Sequence, residues 1–132
     1  MTEQDIIETA RSFSRDYIRA RAQSWENGQA QPADALRDAA KLGLMSFETP
    51  QEYGGLGASF QTKQAICEEL ARGDMAFAFS LVNTQNIAAK LAGGNTAQRH
   101  AELITSLMRG EVFGATALSE PGAGSDFAGI ST

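Results

Sequence analysis

The sequence predicts an all-α fold, a bundle of about five helices, followed by one short β-strand and a glycine-rich loop. Three observations predict it. Apolar residues recur at three- and four-residue spacing in five stretches between Ile6 and Met108. A capping residue or a glycine bounds the stretches, so the connections are short. The run Val112-Phe113-Gly114-Ala115-Thr116-Ala117-Leu118 then abandons the helical period for a strand-like one.

The first helix is capped by Thr2 and carries Ile6, Ala10, Phe13 and Tyr17 as one apolar stripe; it is expected to fray between Trp25 and Gly28. Pro32, at a first helical position, opens a shorter second helix with Leu36 and Ala40 inward, and Gly43 closes it in the left-handed conformation. Leu44 to Gly57 has no helical period, and Tyr53-Gly54-Gly55 must turn sharply. A third helix runs from Ser59 to Gly73, with Ile66 and Leu70 on one side and Glu68, Glu69 and Arg72 on the wet side. Asp74 caps a fourth, apolar on most of its circumference and so expected at the bundle centre, which Gly93-Gly94 ends. Phe77 and Phe79 project from it onto different faces, and both are read first as core. Asn95 with Gln98 reads as a capping box for a fifth helix bearing Leu103, Ile104, Leu107 and Met108 and closed by Gly110. The strand that follows cannot satisfy its backbone groups unpaired, so more sheet is expected to join it.

Composition sets outer bounds. With 132 residues, 42% hydrophobic and 20% charged, the chain is one ordinary globular domain with a single core. A net charge of −5 without a basic stripe excludes nucleic acid as a partner. Cys67 and His100 are each alone, which leaves no disulfide framework, no metal-ligand cluster and no triad. Cys67 reads as a small buried apolar residue and His100 as a surface helix residue. The first residues, Met1 to Glu8, lack a basic start and an apolar core, so neither a secretory signal nor a transit peptide is expected, and the expected setting is the cytoplasm. No apolar run approaches the ~20 residues that cross a bilayer.

The loop after the strand, Ser119-Glu120-Pro121-Gly122-Ala123-Gly124-Ser125-Asp126, carries the chemistry. Its small residues leave backbone uncovered and let a bulky group come close. Successive N–H groups in such a turn form a concave anion site, to which the Ser119 and Ser125 hydroxyls add. An ordinary Pro-Gly turn accounts for the same residues. A dinucleotide fingerprint from Gly122 fails where Phe127 stands, and no Gly-Lys-Ser/Thr follows to make a P-loop. Glu120 and Asp126 are read as fixing the loop by accepting backbone N–H bonds.

Ala117 to Gly129 resembles the first signature of the acyl-CoA dehydrogenase family, flavoenzymes that introduce a double bond between the α and β carbons of acyl-CoA thioesters. Thr49-Pro50-Gln51-Glu52-Tyr53-Gly54-Gly55-Leu56-Gly57 resembles the family's Pro-x-Glu-Tyr-Gly-Gly-x-Gly turn, and Glu68-Glu69-Leu70-Ala71-Arg72 the helix after it. The resemblance covers nearly the whole chain in the family's order. It implies that residues 1–111 are the N-terminal helical domain and that 112–132 begin a middle β-domain, here truncated, with a C-terminal four-helix bundle to follow.

The same resemblance implies FAD as cofactor, with Thr116, Ala117, Leu118, Ser119, Gly124 and Ser125 against it. Leu118 would pack on the isoalloxazine, Ser119 would hydrogen-bond its pyrimidine side, and Ser125 would reach both the pyrophosphate and the acyl-CoA substrate. These roles have a physical reason, because donors near N1 and O2 stabilise the charge that gathers there on reduction. The bland reading of both serines is loop capping. The family's catalytic glutamate lies beyond Thr132, so no catalytic residue is expected in this chain, nor activity unaided. Electron-transfer flavoprotein or a similar acceptor and a homo-oligomeric state are implied for the complete enzyme. Ala101 to Leu107 departs from the family's Tyr-Leu-Pro helix end, and Thr116 stands where an aromatic often packs, which touches subfamily and chain-length preference. Two alternatives stand beside the dehydrogenase: an acyl-CoA oxidase or flavin monooxygenase of the same fold, and a helical interaction module without cofactor.

Overall fold

Thr2 starts the fold by a reciprocal cap. Its hydroxyl accepts the Asp5 N–H at 3.1 Å, while the Asp5 carboxylate accepts the Thr2 N–H at 2.8 Å, satisfying two donors that would otherwise be orphaned. The computed structural model describes residues 1–132. In it α1 (Glu3–Phe13), a π-helical turn (Ser14–Ile18) and α2 (Arg19–Glu26) run on without a break. The π turn corrects the expected stripe. Its Arg19 N–H reaches back five residues to the Ser14 carbonyl, and the extra residue turns the face. Ile6, Ala10 and Phe13 are buried as read, but Ile18 takes the next inward place and Tyr17 sits at the edge, donating its hydroxyl to Asp38 at 2.8 Å.

Gly28, at φ +67°, follows the end of α2, and α3 (Ala33–Lys41) starts after Pro32, one residue later than read. Leu36 is buried, whereas Ala40 is half-buried because Ala35 and Ala39 hold the inward positions. Gly43 closes the element at φ +81°. The next passage winds through a 3₁₀ turn at Gln51–Tyr53 and inserts Leu44, Met45 and Phe47 into the core.

The helices α4 (Phe60–Ala71) and α5 (Met75–Ala92) are capped by Ser59 and Asp74 as read. Ser59 is itself held by α1: the Glu3 carboxylate accepts its N–H and its hydroxyl, each at 2.8 Å, and the Thr62 hydroxyl as well. A carboxylate at the α4 N-terminus complements the helix dipole and ties the two helices at one end. At the other end Gly73 lets the α4–α5 corner close on the π turn, since a Cβ there would lie 2.7 Å from the Ser14 hydroxyl. α1 packs on α4, α4 on α5, and α5 on α6 (Ala101–Met108). The core joins Ile66, Leu70, Phe77 and Leu81 to the α1 stripe.

Two expectations at the far end are corrected. Asn95 and Gln98 form no capping box; a 3₁₀ turn at Ala97–His100 leads into α6 with no side-chain cap, because Thr96 rather than Asn95 occupies the turn start. The run 112–118 forms no strand. A lone run has no partner to complete a ladder, and the one β-type pairing is an isolated bridge from Glu120 to Ala123. No helix is long and apolar enough to cross a membrane.

Candidate functional site

The site is built on the segment that leaves α6. Gly110, at φ +66°, reverses the chain against α3, where a Cβ would stand 3.2 Å from the Arg37 backbone. Arg37 then lies over the Phe113 ring, 6.0 Å from its centroid. At Gly114 the chain touches α5. The Gly114 N–H donates to the Thr84 hydroxyl at 3.1 Å, and a Cβ on Gly114 would fall 2.9 Å from Ile87 Cγ1.

Beyond this point Thr116, Ala117, Leu118 and Ser119 are exposed, Leu118 at 49%. Glu120 and Ala123 then exchange backbone bonds of 2.9 and 3.1 Å across Pro121-Gly122. That tight turn brings Ser119 and Gly124 to its two sides, with Ser125 next. Nothing lies within 4 Å of where a Cβ would stand on Gly122 or Gly124, so the backbone is bare there. Ser119 and Ser125 are exposed, and neither hydroxyl is engaged in capping the loop. A bulky group can approach the bare backbone here, and each hydroxyl can donate and accept.

Glu120 and Asp126 hold the loop. The Asp126 carboxylate accepts the Ala128 N–H at 3.1 Å, starting a 3₁₀ turn at Phe127–Gly129. The Glu120 carboxylate accepts the Ser131 N–H at 3.0 Å, the Ser131 hydroxyl at 3.1 Å and the Thr132 N–H at 3.0 Å, closing residues 120–132 into a compact loop. Hydrogen bonds from Thr132, then from the Ser131 and Thr132 backbone, bring its carboxyl down from 4.5 to about 2. Because folding lowers this value, the contribution is complete above about 4.5 and is lost as the pH falls through about 2. An acid titration of the Ser131 and Thr132 amide resonances should therefore show its midpoint near 2; a midpoint at the ordinary carboxylate value would mean that the loop is not tied.

The remaining flagged residues stand apart from this site. Phe77 is 1% exposed and belongs to the core, but Phe79 is 62% exposed, a correction that follows from its place on the opposite side of α5. Cys67 is half-buried rather than buried, in a groove with Ala71, Met75, Ala78, Phe79 and Val82, and burial pushes its thiol up. His100 sits half-buried at the end of the 3₁₀ turn. Thr84 escaped notice in the sequence. The signal was there, a polar run, Asn83-Thr84-Gln85-Asn86, in the middle of a largely apolar helix; Thr84 and Gln85 within it are buried.

Comparison with known proteins adds the family. The profile described as "Acyl-CoA dehydrogenase, N-terminal domain" matches residues 1–111. The chain is similar to the human mitochondrial short-chain specific acyl-CoA dehydrogenase, at 30% identity over 99% of this chain and 32% of that protein. It is similar at 31% identity to the (2S)-methylsuccinyl-CoA dehydrogenase of Cereibacter sphaeroides, over 96% of this chain and 23% of the relative. The mitochondrial isovaleryl-CoA dehydrogenase of Arabidopsis thaliana is 30% identical, over 98% and 32% respectively. The chain thus spans no more than about a third of the length of these curated relatives. With a capped helical body over the matched residues and a glycine-rich loop leaving it, the chain belongs to the acyl-CoA dehydrogenase family.

Proposed function

We propose that this chain supplies the helical body and part of the flavin site of an FAD-dependent oxidoreductase that dehydrogenates acyl-CoA thioesters between the α and β carbons. The observation that supports it is the exposed loop at Thr116–Ser125, where the backbone is bare at Gly122 and Gly124 and Ser119 and Ser125 are exposed on either side of the Glu120–Ala123 turn. When bound, FAD would accept the hydride that leaves the β carbon. The chain's own residues bind and orient. Ser119 would donate toward the pyrimidine side of the flavin, Thr116, Ala117 and Leu118 would lie along the ring, and Gly124 and Ser125 would meet the pyrophosphate. Ser125 would also contact the acyl-CoA. Glu120 and Asp126 are committed to holding the loop and are not the base, which in this reading is none of residues 1–132. Residues 112–132 would thereby act as the entrance to a second domain, and turnover would require groups other than those of residues 1–132. Electron-transfer flavoprotein as acceptor, a homo-oligomer and a cytoplasmic setting complete the proposal.

Titrating FAD into the isotope-labelled chain tests the reading directly. Amide shifts should concentrate on residues 116–125, and Ser119→Ala and Ser125→Ala should each weaken the response roughly tenfold, the worth of a hydrogen bond to a charged or charge-developing group. Shifts scattered over the helical body, or none at 116–125, would count against any flavin role for the loop and favour the helical interaction module.

A further inference from the structure

We infer, on the footing of the flavin role just proposed, that Thr84 is a positioning residue for the flavin-contact segment, acting through the backbone of Gly114. The flavin residues hang on a segment with no secondary structure of its own, exposed from Ala115 to Ser119. Something must fix where it leaves the helical body, and one buried group does so. Thr84 is 1% exposed in the middle of α5. Its hydroxyl has the Ser80 carbonyl one turn back, at 3.0 Å, as the nearer acceptor for its proton, and it keeps a lone pair free to accept. The Gly114 N–H fills that lone pair at 3.1 Å, and the Gly114 carbonyl stands 3.4 Å from the same oxygen.

The contact is also fixed by shape. A Cβ on Gly114 would fall 2.9 Å from Ile87 Cγ1 and 3.0 Å from Ile87 Cβ, one turn along the same helix, and 3.4 Å from Leu107 of α6. Glycine lets the segment lie this close to α5, and the hydroxyl at position 84 offers it an acceptor there. Thr116 follows two residues later and Ser119 five, so a shift at Gly114 moves the whole candidate flavin face relative to the helices. Thr84 touches no ligand in this scheme; it orients the segment that does.

Thr84→Val keeps the volume and removes the acceptor, Thr84→Ser restores it, and Gly114→Ala pushes the segment off Ile87 by an independent route. In Thr84→Val the Gly114 amide should exchange roughly tenfold faster, the loss of one net hydrogen bond, with the rest of α5 unchanged. The FAD response at 116–125 should weaken severalfold in both Thr84→Val and Gly114→Ala, and Thr84→Ser should recover it. Unchanged exchange at Gly114 would overturn the contact itself, while leaving the wild-type flavin titration standing. Faster exchange with an undiminished FAD response would show a contact that positions nothing and would equally overturn the inference. A wild-type chain with no FAD response at 116–125 would remove the flavin reading and this role with it.

Discussion

Gly55→Ala is expected to cost roughly 3 kcal/mol or more, at the upper end of what overpacking does, and to lower the melting temperature by ~10 °C. A Cβ on Gly55 would lie 1.9 Å from the Thr49 carbonyl oxygen, 2.5 Å from its carbon and 2.7 Å from the Ser46 carbonyl oxygen. All three are backbone atoms, so no side chain can swing away. Nor can the two backbones part cheaply. Leu56 donates to Ser46 at 3.0 Å, Gly57 to Thr49 at 3.0 Å and Ala58 to Phe47 at 2.7 Å, and these bonds cross the site of the intended methyl. Separating them would also pull Phe47, which is fully buried, from the core. Gly54 next door is a different case. It adopts φ +85° with only the end of Met108 nearby, so alanine there meets backbone strain of about 1–2 kcal/mol and no collision. Thermal melts of the two variants should separate these mechanisms. Equal losses would mean that the Tyr53-Gly54-Gly55 turn relaxes, and that close backbone approach is not why glycine stands at position 55.

Position along the chain decided what could be read before any coordinates. Thr2, Ser59 and Asp74 were legible as caps because a cap bonds within three residues of itself, and Gly43 and Gly110 because their left-handed φ values end helices locally. Glu120 and Asp126 were legible for the same reason: short acidic side chains in a glycine-rich loop find backbone donors. The π turn was not legible, because the apolar spacing from Ile6 to Tyr17 continues a three- and four-residue period and nothing in it marks the shift to five-residue bonding, while Gly73 meets Ser14 and Ile18 from a distant part of the chain. Neither was the unpaired state of residues 112–118, since strand formation depends on a partner and not on the run itself. The bare backbone at Gly122 and Gly124 follows from composition, whereas the Thr84–Gly114 contact joins residues thirty apart and had to be seen.

Phe77→Ala and Phe79→Ala should differ by about 3 kcal/mol or more although the two residues are near neighbours with identical side chains. Two residues turn an α-helix by about 200°, which carries the second ring to the opposite side. Phe77 is 1% exposed, stacks on Trp25 with centroids 5.5 Å apart, and meets Phe13 at 6.2 Å. Phe13 in turn stacks on Tyr17 at 4.8 Å. Truncating Phe77 removes the ring that joins α5 to both α1 and α2, and a cavity among large rigid rings collapses poorly, so the cost should reach about 3–5 kcal/mol. That is a large share of the roughly 5–15 kcal/mol a domain has to lose. Phe79 is 62% exposed, and its truncation should stay within about 0.5 kcal/mol. Urea denaturation of both variants decides it, read with the Gly114 amide as a second probe. If α5 carries the segment after Gly110 through Thr84, Phe77→Ala should release that amide in step with global unfolding, and Phe79→Ala should leave it protected. Comparable losses from both substitutions would mean that α5 is not anchored through the aromatic cluster, and the helix could not then serve as the fixed reference from which Thr84 holds the loop.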